Sequence, residues 1–284
     1  MENKKKSLLS QMAPYLKGYK ALFGLAVIFT IVSSTITVIG PDRLKEMTDT
    51  MTKGLAGKID LDKIGEIALT LALLYFAGAL VSYTASFIVS TLIQKFSQRL
   101  RNAIADKINK VPLKYFDSHS QGDTLSRVTN DVDLMTQSFN QSLVSMVAAI
   151  ILLIGSIFMM IKTNGALAAT AILSVFAGFV LSTVIMAKSQ PLFKKQQANL
   201  ADVSYNAIQQ SKKQFENLND QLFASMWKSQ FFSGIMMPLM QFIGNFGYVM
   251  VCIVGATMAI NGDITMGTIV AFMVYVRIFS QPLS

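Results

Sequence analysis

Two stretches of this 284-residue chain, Ile67–Ile93 and Leu134–Ile161, contain no charged residue. A bilayer core about 30 Å thick needs roughly 20 apolar helical residues at about 1.5 Å each, so either stretch is long enough to cross it. With no water in the bilayer to satisfy backbone amides, a run of this length spans as a helix. The composition agrees, at 52% hydrophobic and only 14% charged residues. The apolar residues are blocked into runs rather than spread with the period of a soluble amphipathic helix. The chain is therefore read as all-α and polytopic. Six spans are predicted: Ala21–Ile39, Ile67–Ile93, Ser142–Ile161, Ala166–Ala187, Phe231–Ile260 and Met266–Ser284, the first ending at the helix-breaking pair Gly40-Pro41. Six spans with no intervening domain give one membrane domain over 21–284, preceded by a polar segment over 1–20.

The net charge of +9 reflects topology rather than nucleic-acid binding. Lys4, Lys5, Lys6, Lys17 and Lys20 face one acid, Glu2, at the N-terminus. Residues 94–133 hold seven Lys/Arg against five acids, and residues 188–230 hold six against three. By the positive-inside rule these segments and both termini lie in the cytoplasm. The lysines of the first segment, with Leu8, Leu9, Met12 and Leu16 on one side, predict an amphipathic elbow helix at the membrane surface and not a cleavable leader. Cys252 is the single cysteine, which excludes an intrachain disulfide and a cysteine metal cluster.

Between the first two uncharged runs, apolar residues continue at Phe96, Leu100, Ile104 and Ile108 with helical spacing, so one long helix is expected to leave the membrane. Pro112 ends it. Gly122-Asp123 predicts a turn with an N-cap, and Thr124–Val128 a short helix. Asn130, Asp131 and Asp133 stand at the start of the helix that returns to the bilayer, where acids suit its dipole. From spacing alone, these residues read equally well as caps and a turn.

The same residues carry a resemblance. Phe116, Asp117, Gly122, Asp123, Ser126, Arg127, Asn130 and Asp131 resemble the first cytoplasmic loop in the membrane domain of type IV ABC exporters. The likeness continues in Leu100-Arg101, Pro112, Phe215, Asn219, Pro238, Gly247-Tyr248, Ala271-Phe272, Tyr275 and Gln281-Pro282-Leu283. It implies that a short coupling helix in 94–133 rests on an ATP-binding domain and relays its motion. It also implies two paired membrane domains with exchanged fourth and fifth helices, and ATP-driven export of amphipathic drugs, lipids or peptides across a bacterial plasma membrane.

The chain departs from that pattern twice. Residues 202–214 are too few for the usual second coupling helix. No G-x-x-x-x-G-K-[ST] run, whose amides and lysine cradle phosphates, occurs. ATP and Mg are thus expected on an ATP-binding domain supplied by a separate chain or by the rest of a longer protein. The family places Gln281-Pro282-Leu283 midway along its sixth helix, which favours the longer protein.

No catalytic constellation is present. His119 is the only histidine, and it reads as a solvated loop residue. Asp131 and Asp133 point to different faces. Met237, Gln241, Asn245 and Tyr248 share a face of the fifth span. Flexible Met, aromatics and amides there suit a hydrophobic substrate, or equally interhelical packing with the amides bonded across helices. Met273 and Arg277 are further pathway candidates on the sixth span. The alternative for Arg277 is a charge snorkelling to the cytoplasmic interface. Pro238 predicts a kink in the fifth helix. Two other functions stay open: a truncated membrane protein that assembles without transporting, and an ATP-independent transporter or channel.

Overall fold

The computed structural model describes residues 18–55, 57–112, 121–206 and 212–283. Among these, every regular element is helical. In chain order they are α1 (Lys20–Leu55), α2 (Leu61–Ile108), the short α3 (Gln121–Ser126) and a π-helical turn (Arg127–Asp131). There follow α4 (Val132–Thr163), α5 (Gly165–Asn206), α6 (Lys212–Ile260), α7 (Met266–Ser280) and a 3₁₀ turn (Gln281–Leu283). Six of the helices are long and apolar enough to cross a membrane, as the sequence predicts. The predicted elbow, Phe116, Asp117 and His119 lie outside the described residues.

α2 has 48 residues, about 72 Å at about 1.5 Å each, against a bilayer core of about 30 Å. It therefore continues well beyond the membrane, as the apolar spacing after Ile93 requires. Its end unwinds through Asn109, Lys110 and Val111, whose amides donate to Ala105, Lys107 and Ile108 carbonyls, just before Pro112.

Two predicted boundaries are corrected. Gly40-Pro41 does not end the first helix, because α1 runs through it to Leu55. Proline costs one backbone hydrogen bond but has helical φ, and the following residues include the good helix formers Leu44, Lys45, Glu46 and Met47. Gly122 and Asp123 do not form a turn before the short helix; both lie within α3, and the π turn carries the chain directly into α4. Pro191 and Pro238 likewise sit inside continuous helices.

The chain divides into two compact units. Unit 1 comprises Met1–Arg43 and Leu61–Gly155, and unit 2 comprises Leu44–Asp60 and Ser156–Ser284. In unit 1, Ala26, Val89 and Ile93 form a buried cluster with Ile88, Phe139 and Val144 packed on it. Small residues allow close helix approach, as expected where lipid supplies no hydrophobic drive between helices. A Cβ on Gly78 would meet Ile36 at 3.0 Å, and one on Gly155 would meet Val38 at 3.1 Å. In unit 2, the α6 edge of Ile243, Gly247, Val251 and Gly255 turns inward. Gly247 packs against Val175 of α5 and Val276 of α7, and Gly255 against Ile269 of α7. By contrast, Leu69, Leu73, Phe76, Leu80, Tyr83 and Phe87 form an exposed apolar stripe along α2, a surface matched to acyl chains.

Candidate functional site

The segment that resembles a coupling helix is held by unit 1. Three contacts fasten α2 to α4 in register. The Arg101 guanidinium pairs with the Asp133 carboxylate, the Phe139 ring meets Phe96 edge-on at 6.0 Å, and the Ser90 hydroxyl donates to Asn140 Oδ1 at 3.3 Å. Val132 is buried at the start of α4. The rigid ends of two long helices thereby fix the π turn from which α3 projects. Within the turn, Asn130 Nδ2 donates to Ser126 Oγ at 3.2 Å and the Thr129 hydroxyl to the Leu125 carbonyl at 2.9 Å. Gly122, Leu125, Arg127, Asn130 and Asp131 are exposed, and Ser126 and Val128 half-buried. The structure thus groups Gly122, Asp123, Ser126, Arg127, Asn130 and Asp131 on one short helical segment, with Gly122, Arg127, Asn130 and Asp131 exposed. On α2, the Arg99 guanidinium carbon lies 4.4 Å and Lys95 Nζ 5.4 Å from the Tyr19 ring, a pair of cation–π contacts.

The candidates on α6 form a second group. Met237 is 85% exposed, and Gln241, Asn245 and Tyr248 are exposed along the same side of the helix. Among the described residues, neither the Gln241 nor the Asn245 amide makes a hydrogen bond, so the interhelical bonding open to them in the sequence is not formed there. On α7, Arg277 is exposed and Met273 half-buried, one turn apart, whereas Phe272, Tyr275, Val276, Ile278 and Phe279 are buried. Trp227 stacks on Phe231 at 5.7 Å in the N-terminal half of α6.

Two connections escape a reading of the sequence. Arg101–Asp133 joins residues 32 apart. The second is a cap on α7: Asp49 Oδ1 accepts from the Gly267 amide at 2.9 Å and Oδ2 from the Thr265 hydroxyl at 2.9 Å. The Thr265 hydroxyl also accepts from the Thr268 amide at 3.3 Å, as an N-cap does. The Thr265-x-Gly267-Thr268 pattern announces the helix start, but nothing near it in sequence announces Asp49.

Comparison with known proteins places this architecture. The family described as "ABC transporter transmembrane region" matches residues 23–210 and 203–283. A fatty acid ABC transporter ATP-binding/permease protein of Mycobacterium bovis is 34% identical over 233 residues, covering 77% of this chain and 37% of that protein. The uncharacterized ABC transporter ATP-binding protein YfiC of Bacillus subtilis is 25% identical, covering 98% of this chain and 48% of its own length. The ATP-dependent lipid A-core flippase of Photobacterium profundum is 25% identical, covering 90% and 46%. The chain spans less than half the length of these relatives. Six membrane-spanning helices, the exposed segment below the α2–α4 pair and a family match over nearly the whole sequence agree: the chain is a multi-pass membrane protein belonging to the ABC transporter transmembrane-region family.

Proposed function

We propose that this chain is the membrane-spanning part of an ATP-driven exporter in a bacterial plasma membrane, with its N-terminus in the cytoplasm. It works with a second membrane domain and with ATP-binding domains that hold ATP and Mg, and it moves amphipathic drugs, lipids or peptides outward by alternating access. Phe116, Asp117, Gly122, Asp123, Ser126, Arg127, Asn130 and Asp131 form the contact with the ATP-binding domain. The observation that carries this reading is the α2–α4 lock. A short exposed helix on two helices fastened by Arg101–Asp133 and Phe96–Phe139 passes a push into the spans instead of absorbing it. The ATP-binding/permease names of the relatives support the motor.

Met237, Gln241, Asn245, Tyr248, Met273 and Arg277 line the substrate path in this reading. Unbonded amides and a guanidinium in apolar spans are costly against lipid and suit an aqueous cavity or the second membrane domain.

A second reading, a membrane protein that assembles without transporting, draws on the short connection at 202–214. The family match breaks into two segments that overlap at 203–210. The alignment with a Streptococcus pneumoniae relative runs over 306 positions against the 284 residues here, so that relative holds residues with no counterpart in this chain.

Vanadate-sensitive ATPase activity of the complex, co-expressed with its genomic neighbours, separates the two. Hydrophobic compounds are expected to stimulate it, and the pair Asp123→Ala and Arg127→Ala to abolish that stimulation. Failure of any ATP-binding chain to co-purify would sink the transport reading.

A further inference from the structure

We propose that unit 1 carries an intramembrane binding site for an uncharged glycerol-ester lipid, formed by α1, α2 and α4 and distinct from the α6–α7 residues above. A cavity of ≈ 320 Å³ opens between these three helices, within the range of small-molecule sites, about 300–1,000 Å³. One wall is a hydroxyl face of α1, Thr30, Ser33, Ser34 and Thr37, and the facing wall presents Tyr75 and Ser82 of α2. α4 closes it with Val144, Ala148 and Leu152. No charged residue lines it.

The hydroxyls are not all committed to their own helix. Thr30 donates to the Ala26 carbonyl and Thr37 to the Ser33 carbonyl. A serine within a helix ordinarily bonds back to the carbonyl one turn earlier. For Ser34 that carbonyl is Thr30's, and the Ser33 hydroxyl already donates to it at 3.1 Å. Ser34 is 5% exposed, faces the cavity, and makes no hydrogen bond among the described residues. The same is true of the hydroxyls of Tyr75 and Ser82, which are more open. Gly40 makes room for the Tyr75 hydroxyl, since a Cβ there would collide with it.

The buried Ser34 hydroxyl, with the exposed Tyr75 and Ser82 hydroxyls on the facing wall, calls for an acceptor-rich group. The absence of charge in the lining selects against a carboxylate or phosphate, which would be buried without a counter-ion. A glycerol ester supplies hydroxyl and carbonyl oxygens to the α1 and α2 walls. Its first methylenes lie on Val144 and Leu152, and the acyl chain leaves through the open side.

The test needs no ATP turnover, so it stands or falls separately from the transport reading. The assembled complex in lipid nanodiscs is photolabelled with a diazirine monoacylglycerol and with the diazirine fatty acid of equal chain length, and labelled peptides are mapped by mass spectrometry. The glycerol ester is expected to label the peptides holding Thr30–Thr37 and Tyr75–Ser82. Labelling should fall about threefold or more for each bonded hydroxyl removed by Ser34→Ala, Tyr75→Phe or Ser82→Ala. Thr35→Ala and Thr84→Ala, hydroxyls outside the cavity, should leave it unchanged. Should either α2 variant not assemble, Ser34→Ala, which deletes one oxygen, decides. Equal labelling by the fatty acid, or labelling indifferent to all three substitutions, overturns the proposal.

Discussion

Asp133 shows how much a single side chain can do that its sequence position does not announce. As the second residue of α4 it suits the helix dipole, and that is all its neighbours in sequence say of it. In the structure it also meets Arg101, with side chains 42% and 57% exposed for the arginine and the aspartate. Such an open pair contributes only about 0.2–1 kcal/mol to stability, so its importance lies in register rather than in holding the fold. Asp133→Asn is accordingly expected to shift the melting temperature by no more than about 4 °C while weakening substrate stimulation of ATPase activity. The charge exchange Arg101→Asp with Asp133→Arg should restore stimulation. Stimulation that survives Asp133→Asn unchanged would show that the pair is an ordinary surface contact.

At the scale of the helix, close approach is what distinguishes the packed edge of α6 from the rest of its surface. Gly178 of α5 faces Ile243 with no room for a Cβ, whereas a Cβ on Gly244 would find only Ser280 Oγ, at 3.6 Å. Gly178→Val is predicted to destabilise the protein by about 1–3 kcal/mol through overpacking, and Gly244→Ala to be near neutral, as read by thermal melts of the detergent-solubilised protein. Equal melting of the two variants would contradict the α5–α6 packing. The elements themselves were largely legible beforehand. Uncharged runs give spans in a solvent that offers no alternative hydrogen bonds, and the 3.6-residue recurrence of Phe96, Leu100, Ile104 and Ile108 gives the extension of α2. The failures were local. Gly40-Pro41 signals a stop by its lost hydrogen bond, but the helix formers after it carry α1 on to Leu55. Gly122-Asp123 has turn chemistry, but the helical residues that follow draw it into α3. What joins helices was not legible, since Arg101–Asp133 and Asp49–Gly267 link residues far apart in the chain, and the hydroxyl face of α1 looked like any other span.

For the whole molecule, the account rests on a division of labour. In the proposed function, the long helices would carry force between the cytoplasm and the bilayer, α3 and its π turn would receive it, and the unbonded polar groups of α6 and α7 would face a cavity or a partner. The basic excess in 94–133 and 188–230 would set the side on which the force arrives. The most direct test is a disulfide cross-link. In a Cys252→Ala background, Arg127→Cys on the exposed turn is paired with single cysteines introduced over the surface of the co-purified ATP-binding domain. The account predicts cross-linking from Arg127→Cys, with a yield that changes on adding ATP and vanadate, and none from Phe87→Cys on the lipid-facing stripe of α2. An intact complex in which Arg127→Cys cross-links to no position on the ATP-binding domain would contradict it.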